Sequence, residues 1–386
     1  MEFIGSLCLI LITTSIGGHI CARINLPAVI GQLIAGILLG PALLGWVSTN
    51  SFISFFSEIG VIILMFIAGL ESNLNLLRRF LIPSTVVAIV GVIFPVIIAY
   101  LTGLYFHLSQ LESLFLGITF AATSVSISVA VLKEMNQLDS FEGTTILGAA
   151  VVDDILAVII LSVLISFTGG QVKGQGSSQN LFFSLTLPLG YFVLLFVFGR
   201  FLVPKLMQIS EKFLVPASEI VMSLIICLGL SYLANLSGLS DVIGAFFAGI
   251  AIGQTHYKQL IDQNIGPLGY GIFIPVFFVS IGLKITLNGI VQDLGLFLIL
   301  SLGGILSKFI GAGLGAKLVR FSRKSSLVIG SAMISRGEMA LIIAQLGLRS
   351  RLLSSDTYSA VIGAIIMTTL AAPLLLRVTI TKKAKR

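Results

Sequence analysis

The sequence predicts an all-α polytopic membrane protein of about thirteen transmembrane helices, and three observations carry that expectation. Of 386 residues, 56% are hydrophobic and only 10% are charged, whereas a soluble domain carries about 25% charged residues. The mean hydropathy is +1.10. Apolar runs of roughly 18 to 25 residues, the length that crosses a bilayer as a helix, recur from end to end. Cys8, Cys21 and Cys227 are scattered, and His19, His107 and His256 fall towards span ends. Neither set has disulfide or metal spacing, and no cofactor is implied. No Lys or Arg precedes Arg23, so the first run does not read as a cleaved signal peptide.

Taken in order, the spans fall at 2–22, 27–45, 53–72, 80–103, 112–133, 143–167, 181–207, 215–236, 239–255, 267–284, 294–318, 325–348 and 357–378. Connections are short, the longest polar one being TGGQVKGQGSSQN at 168–180. Basic residues set the orientation. Loops and ends after odd-numbered spans hold 17 Lys and Arg, those after even-numbered spans hold 4, and Lys308 and Arg336 lie inside spans. The bias predicts a multi-pass protein of the cytoplasmic membrane, with the N-terminus outside and the basic tail TKKAKR in the cytoplasm. The net charge of +7 is thereby a topology signal and not a nucleic-acid surface.

An internal repeat runs through the chain. Val29–Gly40 reads VIGQLIAGILLG and Val242–Gly253 reads VIGAFFAGIAIG, with seven of twelve positions identical at an offset of 213. The offset also carries Gly69 and Leu70 onto Gly282 and Leu283. Because the shift is seven spans, an odd number, the copies must point in opposite directions, as in many secondary transporters. The expected organisation is a first inverted repeat at 1–168, a loop and linker helix at 169–212, a second repeat at 213–380 and a basic tail at 381–386.

Charges at mid-depth mark the candidate site. The sixth span, GAAVVDDILAVIIL, carries Asp153 and Asp154 near its centre, and the eleventh carries Lys308 near its own. Neighbouring helix residues point about 100° apart, so the two carboxylates cannot share one partner. A buried amine needs a carboxylate; one aspartate can serve it, leaving the other for something that comes and goes. FAATSVSIS in span five and ISRGEM in span twelve place small and polar residues at the same depth, and the offset puts Thr123 on Arg336 and Ser124 on Gly337. Both read as helices that unwind beside the aspartates, which is tolerated only where backbone lines a cavity or is buried. Blander readings stand beside these. The aspartates and Lys308 can be a structural knot, Ser126 and Ser128 can bond their own helix carbonyls, and Arg336 and Glu338 can neutralise each other. Glu71, near Arg78, reads as interfacial.

A mid-membrane carboxylate ionised and alone is expensive, so it holds either a proton or a cation. Competition between the two at one locus, coupled to a rocking barrier, is sufficient for exchange transport. Hard oxygen ligands favour a small hard cation such as Na⁺ or Li⁺, with K⁺ the alternative. An intramembrane aspartyl protease needs aspartates on separate helices, and a channel needs a continuous polar stripe; neither pattern is present, and no enzyme is expected.

VVDDILAV, FIAGLE, ATS, SKFIGA and SRGEMAL together resemble bacterial monovalent cation:proton antiporters, in the branch with paired aspartates, over essentially the whole membrane region. The resemblance implies the sodium/proton antiporter fold, with two broken, crossing helices, a homodimer, and a mobile core domain moving against a dimerisation domain. It implies that Asp154 carries cation and proton, that Asp153 partners Lys308, and that Thr123 and Ser124 form the break beside them. Arg336 and Glu338 correspond to the second broken helix. Potassium-efflux members often append a nucleotide-binding domain; this sequence stops at Arg386, so such gating is not expected. The expected partners are transported Na⁺ (or K⁺ or Li⁺), H⁺ and the lipid bilayer.

Overall fold

The computed structural model describes residues 2–24, 26–167, 181–285, 293–349 and 352–384. The loop at 168–180, with Lys173, lies outside these residues, as do Arg351, Lys385 and Arg386. Every regular element described is helical. The chain opens with α1 (Glu2–Arg23), α2 (Ala28–Leu39), α3 (Ser51–Glu71), the short α4 (Leu74–Arg79) and α5 (Leu81–Tyr105). Next come α6 (Gln110–Ala121), α7 (Val125–Glu134) and α8 (Phe141–Phe167). α9 (Leu181–Val197) passes through a π-helical turn at Phe198–Leu202 into α10 (Val203–Ser210). The second half holds α11 (Ser218–Leu236), α12 (Asp241–Gly253), α13 (Lys258–Leu268), a π-helical turn at Gly269–Phe273 and α14 (Ile274–Gly282). It closes with α15 (Leu294–Leu318), α16 (Arg323–Ala332), α17 (Glu338–Arg349) and α18 (Ser355–Ala384).

Among the described residues, nine helical segments are long and apolar enough to cross a membrane, with shorter apolar helices at Ala28–Leu39, Asp241–Gly253 and Met339–Leu348. Some boundaries depart from the sequence expectation. The second span, expected to 45, ends its helix at Leu39. The tenth span was expected from 267, but the helix begins at Lys258. Its first turns, KQLIDQNIG, bury only Ile261 and Ile265, four residues apart on one face. A polar helix with a single apolar stripe escapes any search for continuous apolar runs.

Helix starts follow local chemistry. Ser109 and Glu112 form a reciprocal capping box at the start of α6, with Glu112 N donating to Ser109 Oγ at 3.2 Å and Ser109 N donating to Glu112 Oε2 at 2.8 Å. Ser322, at the same register 213 residues on, caps α16 by accepting from Ser325 N at 3.1 Å. Each cap satisfies amides that the first turn leaves unpaired.

Packing sorts the helices into two groups. α5 packs on α15, α6 and α8, and α15 packs in turn on α16 and α18. The other group is built from α1, α2, α3, α11, α12 and α14, with α3 against α12 and α2 against α14. α7 belongs with α8 and α18 but also touches α2 and α3, so it bridges the groups.

Two glycine contacts in the second group are related by the repeat. A side chain on Gly36 would strike the backbone of Val279 and Gly282, and one on Gly249 would strike Phe66, Gly69 and Leu70. Adding 213 turns Gly36 into Gly249 and Gly69 into Gly282. Each copy thus offers the same pair of positions, and the first position of each copy meets the second position of the other. Absence of a Cβ lets the backbones touch, which is how membrane helices gain dispersion contact where lipid offers no hydrophobic drive.

Candidate functional site

The site is assembled where two helices stop and restart. α6 ends at Ala121 and α7 begins at Val125; between them Ala122 and Ser124 are extended, at φ −61°, ψ 138° and φ −97°, ψ 113°. α16 ends at Ala332 and α17 begins at Glu338. The two breaks are bonded to each other. Ser124 N donates to Ser335 O at 2.8 Å, and Ser335 Oγ donates to Ser124 O at 2.6 Å. A Cβ on Gly337 would collide with the Ser124 side chain, so glycine is needed for the breaks to approach. Ser128 Oγ donates to Ala332 O at 2.5 Å, reaching across to the other broken helix and not back to its own. Ser335 was not singled out from sequence, although the offset of 213 places it on Ala122, inside the first break.

Cationic side chains close the carbonyl end of α6. A helix C-terminus leaves carbonyls unpaired and carries partial negative charge. Lys308 Nζ donates to Ala121 O at 3.0 Å and to Asp153 Oδ2 at 2.7 Å. Arg336 donates to Phe120 O from Nε at 3.0 Å and from Nη2 at 2.8 Å, and to Gly304 O at 3.1 Å. Its Nη1 reaches Ile334 O at 3.0 Å, its guanidinium lies 5.0 Å from the Phe120 ring centroid, and Thr369 Oγ1 donates to its carbonyl. Thr369 and Gly304 carry no signal in the sequence that links them to this site.

The aspartates occupy different surroundings. Asp153 is 1% exposed and accepts through Oδ2 from both Lys308 and Thr123 Oγ1, the latter at 2.6 Å. Asp154 is 8% exposed and close enough to act electrostatically on Lys308. Asp153 Oδ1, Ser124 Oγ and Ser126 Oγ are buried without a hydrogen-bond partner among the described residues. Buried polar atoms are nearly always paired, so three unpaired oxygens around one crossing are what a hard-cation or proton site would use. The structure therefore brings Asp153, Lys308, Thr123, Ser124 and Arg336 together, with Asp154 adjoining. The backbone of Glu338 opens α17, while its side chain lies outside what is described. Glu71 takes no part. It pairs with Lys133 at 2.6 Å.

Residues 8–382 match the family model described as the sodium/hydrogen exchanger, transmembrane. The chain belongs to the sodium/hydrogen exchanger family. This exchanger-family chain is 52% identical over 379 residues to a Na⁺/H⁺ antiporter of Enterococcus hirae, covering 98% of both chains. It is 41% identical over 384 residues to the Na⁺/H⁺-K⁺ antiporter GerN of Bacillus cereus, covering all of this chain and 98% of that one. Its fold matches the sodium proton antiporter MjNhaP1 from Methanocaldococcus jannaschii with a TM-score of 0.72 at 19% identity, covering all of this chain and 98% of the other.

Proposed function

We propose that this chain exchanges Na⁺ for protons across the cytoplasmic membrane by alternating access, with Asp154 as the group for which the two ions compete. The observation that carries the reading is the crossing of two interrupted helices beside adjacent carboxylates. Asp153 is held by Lys308 and Thr123, and Asp153 Oδ1, Ser124 Oγ and Ser126 Oγ are buried without a hydrogen-bond partner among the described residues, which sets hard oxygen ligands beside Asp154 for a small cation or a proton. The antiporter names of relatives that span this whole chain support the same exchange. A reading in which K⁺ is also carried is favoured by the Bacillus cereus relative.

In this mechanism each half-cycle moves a neutralised site. With Na⁺ bound, the Asp154 carboxylate is compensated by the ion; with H⁺ bound, it is uncharged. The empty ionised site is held back by the cost of burying it, so cation in one direction is traded for proton in the other. Lys308 and Arg336 hold the C-terminal carbonyls of α6 and keep the break open beside the aspartates. We further infer thirteen spans in two inverted repeats, 1–168 and 213–380, joined by a linker at 169–212. The reciprocal glycine contacts support this, since crosswise pairing of equivalent positions is the mark of a two-fold axis. The charge bias supports an outside N-terminus and a cytoplasmic C-terminus, and the family resemblance supports a homodimer.

The deciding experiment is a proteoliposome assay of pH-driven uptake with Na⁺, Li⁺ and K⁺ side by side. Uptake of Na⁺ matched by proton efflux is expected; a pH gradient that drives none of the three overturns the reading.

A further inference from the structure

The last two residues of α7, Lys133 and Glu134, hold the two helix groups together at a place remote from the aspartates. Lys133 Nζ lies 2.6 Å from Oε1 of Glu71, the last residue of α3, and 4.9 Å from the ring centroid of Tyr270. Glu134 accepts from Ala28 N, the first amide of α2, at 3.2 Å through Oε1 and 2.9 Å through Oε2. Two adjacent side chains on the bridging helix therefore grip two helices of the other group.

Each contact answers a local electrostatic demand. The N-cap of α2 is Pro27, which supplies no side-chain cap, and a carboxylate on the exposed amide of a helix N-terminus is favourable. Glu134 provides that cap from outside the helix. Glu71 sits at a helix C-terminus, where a negative charge is unfavourable unless a cation such as Lys133 offsets it. α7 is ten residues long, about 15 Å. Its first turn forms the crossing beside the aspartates, and its last turn forms these contacts. The Glu71 and Lys133 side chains are each 25% exposed, so water can reach and replace the pair.

We propose that Lys133 and Glu134 form a cytoplasmic latch that holds the core helices against α2 and α3, and that it must release before the aspartates open to the cytoplasm. These are positioning residues and do not touch the transported ion. The proposal rests on the exchange reading and on the orientation given by the charge bias.

The test places nitroxide labels at Ala22→Cys, beside α2, and Asp139→Cys, just beyond α7, with Cys8, Cys21 and Cys227 replaced by Ala or Ser. Distances are measured by double electron–electron resonance in proteoliposomes, and cation-driven proton movement is assayed in parallel. Glu71→Lys and Lys133→Glu should each shift at least half of the population to a longer distance and change the apparent KM for cytoplasmic Na⁺ at least threefold. The charge-swapped double variant should restore both, and Lys133→Gln should shift the distance in the same direction by less. Unchanged distances in the single variants, or a swap that restores nothing, overturn the latch. Distances that shift as expected in a protein that exchanges no cation keep the latch and overturn the exchange reading instead.

Discussion

Arg336 donates two hydrogen bonds to a single acceptor, the carbonyl of Phe120, at 3.0 and 2.8 Å. That carbonyl belongs to the last turn of α6, and Arg336 sits in the break of the other discontinuous helix, 216 residues away. A group from one break thus caps the helix that ends at the other. With Arg336 1% exposed, no water is at hand to take over if the guanidinium is lost.

Arg336→Ala leaves the carbonyls of Phe120 and Gly304 without these donors, at about 1–3 kcal/mol for each buried acceptor left unsatisfied. Arg336→Lys offers a single ammonium and cannot reproduce the fork. Thermal unfolding of the purified protein in detergent should show Tm falling in the order wild type, Lys, Ala. Equal Tm for all three would remove Arg336 from the scaffold.

Asp154→Asn should reduce cation-dependent proton movement in everted vesicles at least 100-fold, with Tm changed by no more than a few degrees, because Asn keeps the volume and loses the charge. Retained exchange would exclude Asp154 as the carrier.

Asp153 and Lys308 should behave differently. Either Asp153→Asn or Lys308→Gln leaves one buried charge without its partner, a loss of about 3–5 kcal/mol. Removing both together should cost less than the two single losses combined. A double-mutant cycle read by thermal unfolding measures this coupling, and strict additivity would show that the 2.7 Å contact does not bind the two.

The proposed competition at one carboxylate carries a definite pH dependence of transport. Below the carboxylate's own titration point, each unit of falling pH leaves up to tenfold less of the ionised form that binds Na⁺, so the apparent KM for Na⁺ should rise up to tenfold per unit and level off at alkaline pH. Initial rates over a pH series at several Na⁺ concentrations give that slope. A KM independent of pH throughout would mean that proton and cation use separate groups.

Gly249→Val should destabilise by about 1–3 kcal/mol or more through overpacking, because backbone of α3 already occupies the space a side chain needs. Gly229→Ala, in α11 where nothing lies within 4 Å of the added methyl, should be neutral or gain up to about 1 kcal/mol from helix propensity. Tm values for the pair check the contrast.

Much of this was legible in the chain. Hydropathy located the long helices because the bilayer sets their length. The FAATSVSIS and ISRGEM segments located the two breaks, and the VIGxxxAGIxxG repeat tied them together, since a register of 213 relates positions wherever the chain later places them. The amphipathic start of α13 at Lys258 was hidden, as its single stripe of Ile261 and Ile265 is not a continuous apolar run.

What sequence determined by itself was the class of the molecule and the identity of the charges at mid-depth, because those depend on solvent and on spacing along one chain. That Arg336 caps Phe120, that Ser335 bonds Ser124 and that Glu71 turns to Lys133 were decided only by tertiary structure. Each of those pairs joins segments more than 60 residues apart, and partner choice for a buried charge is set by which helices pack together and at what rotation.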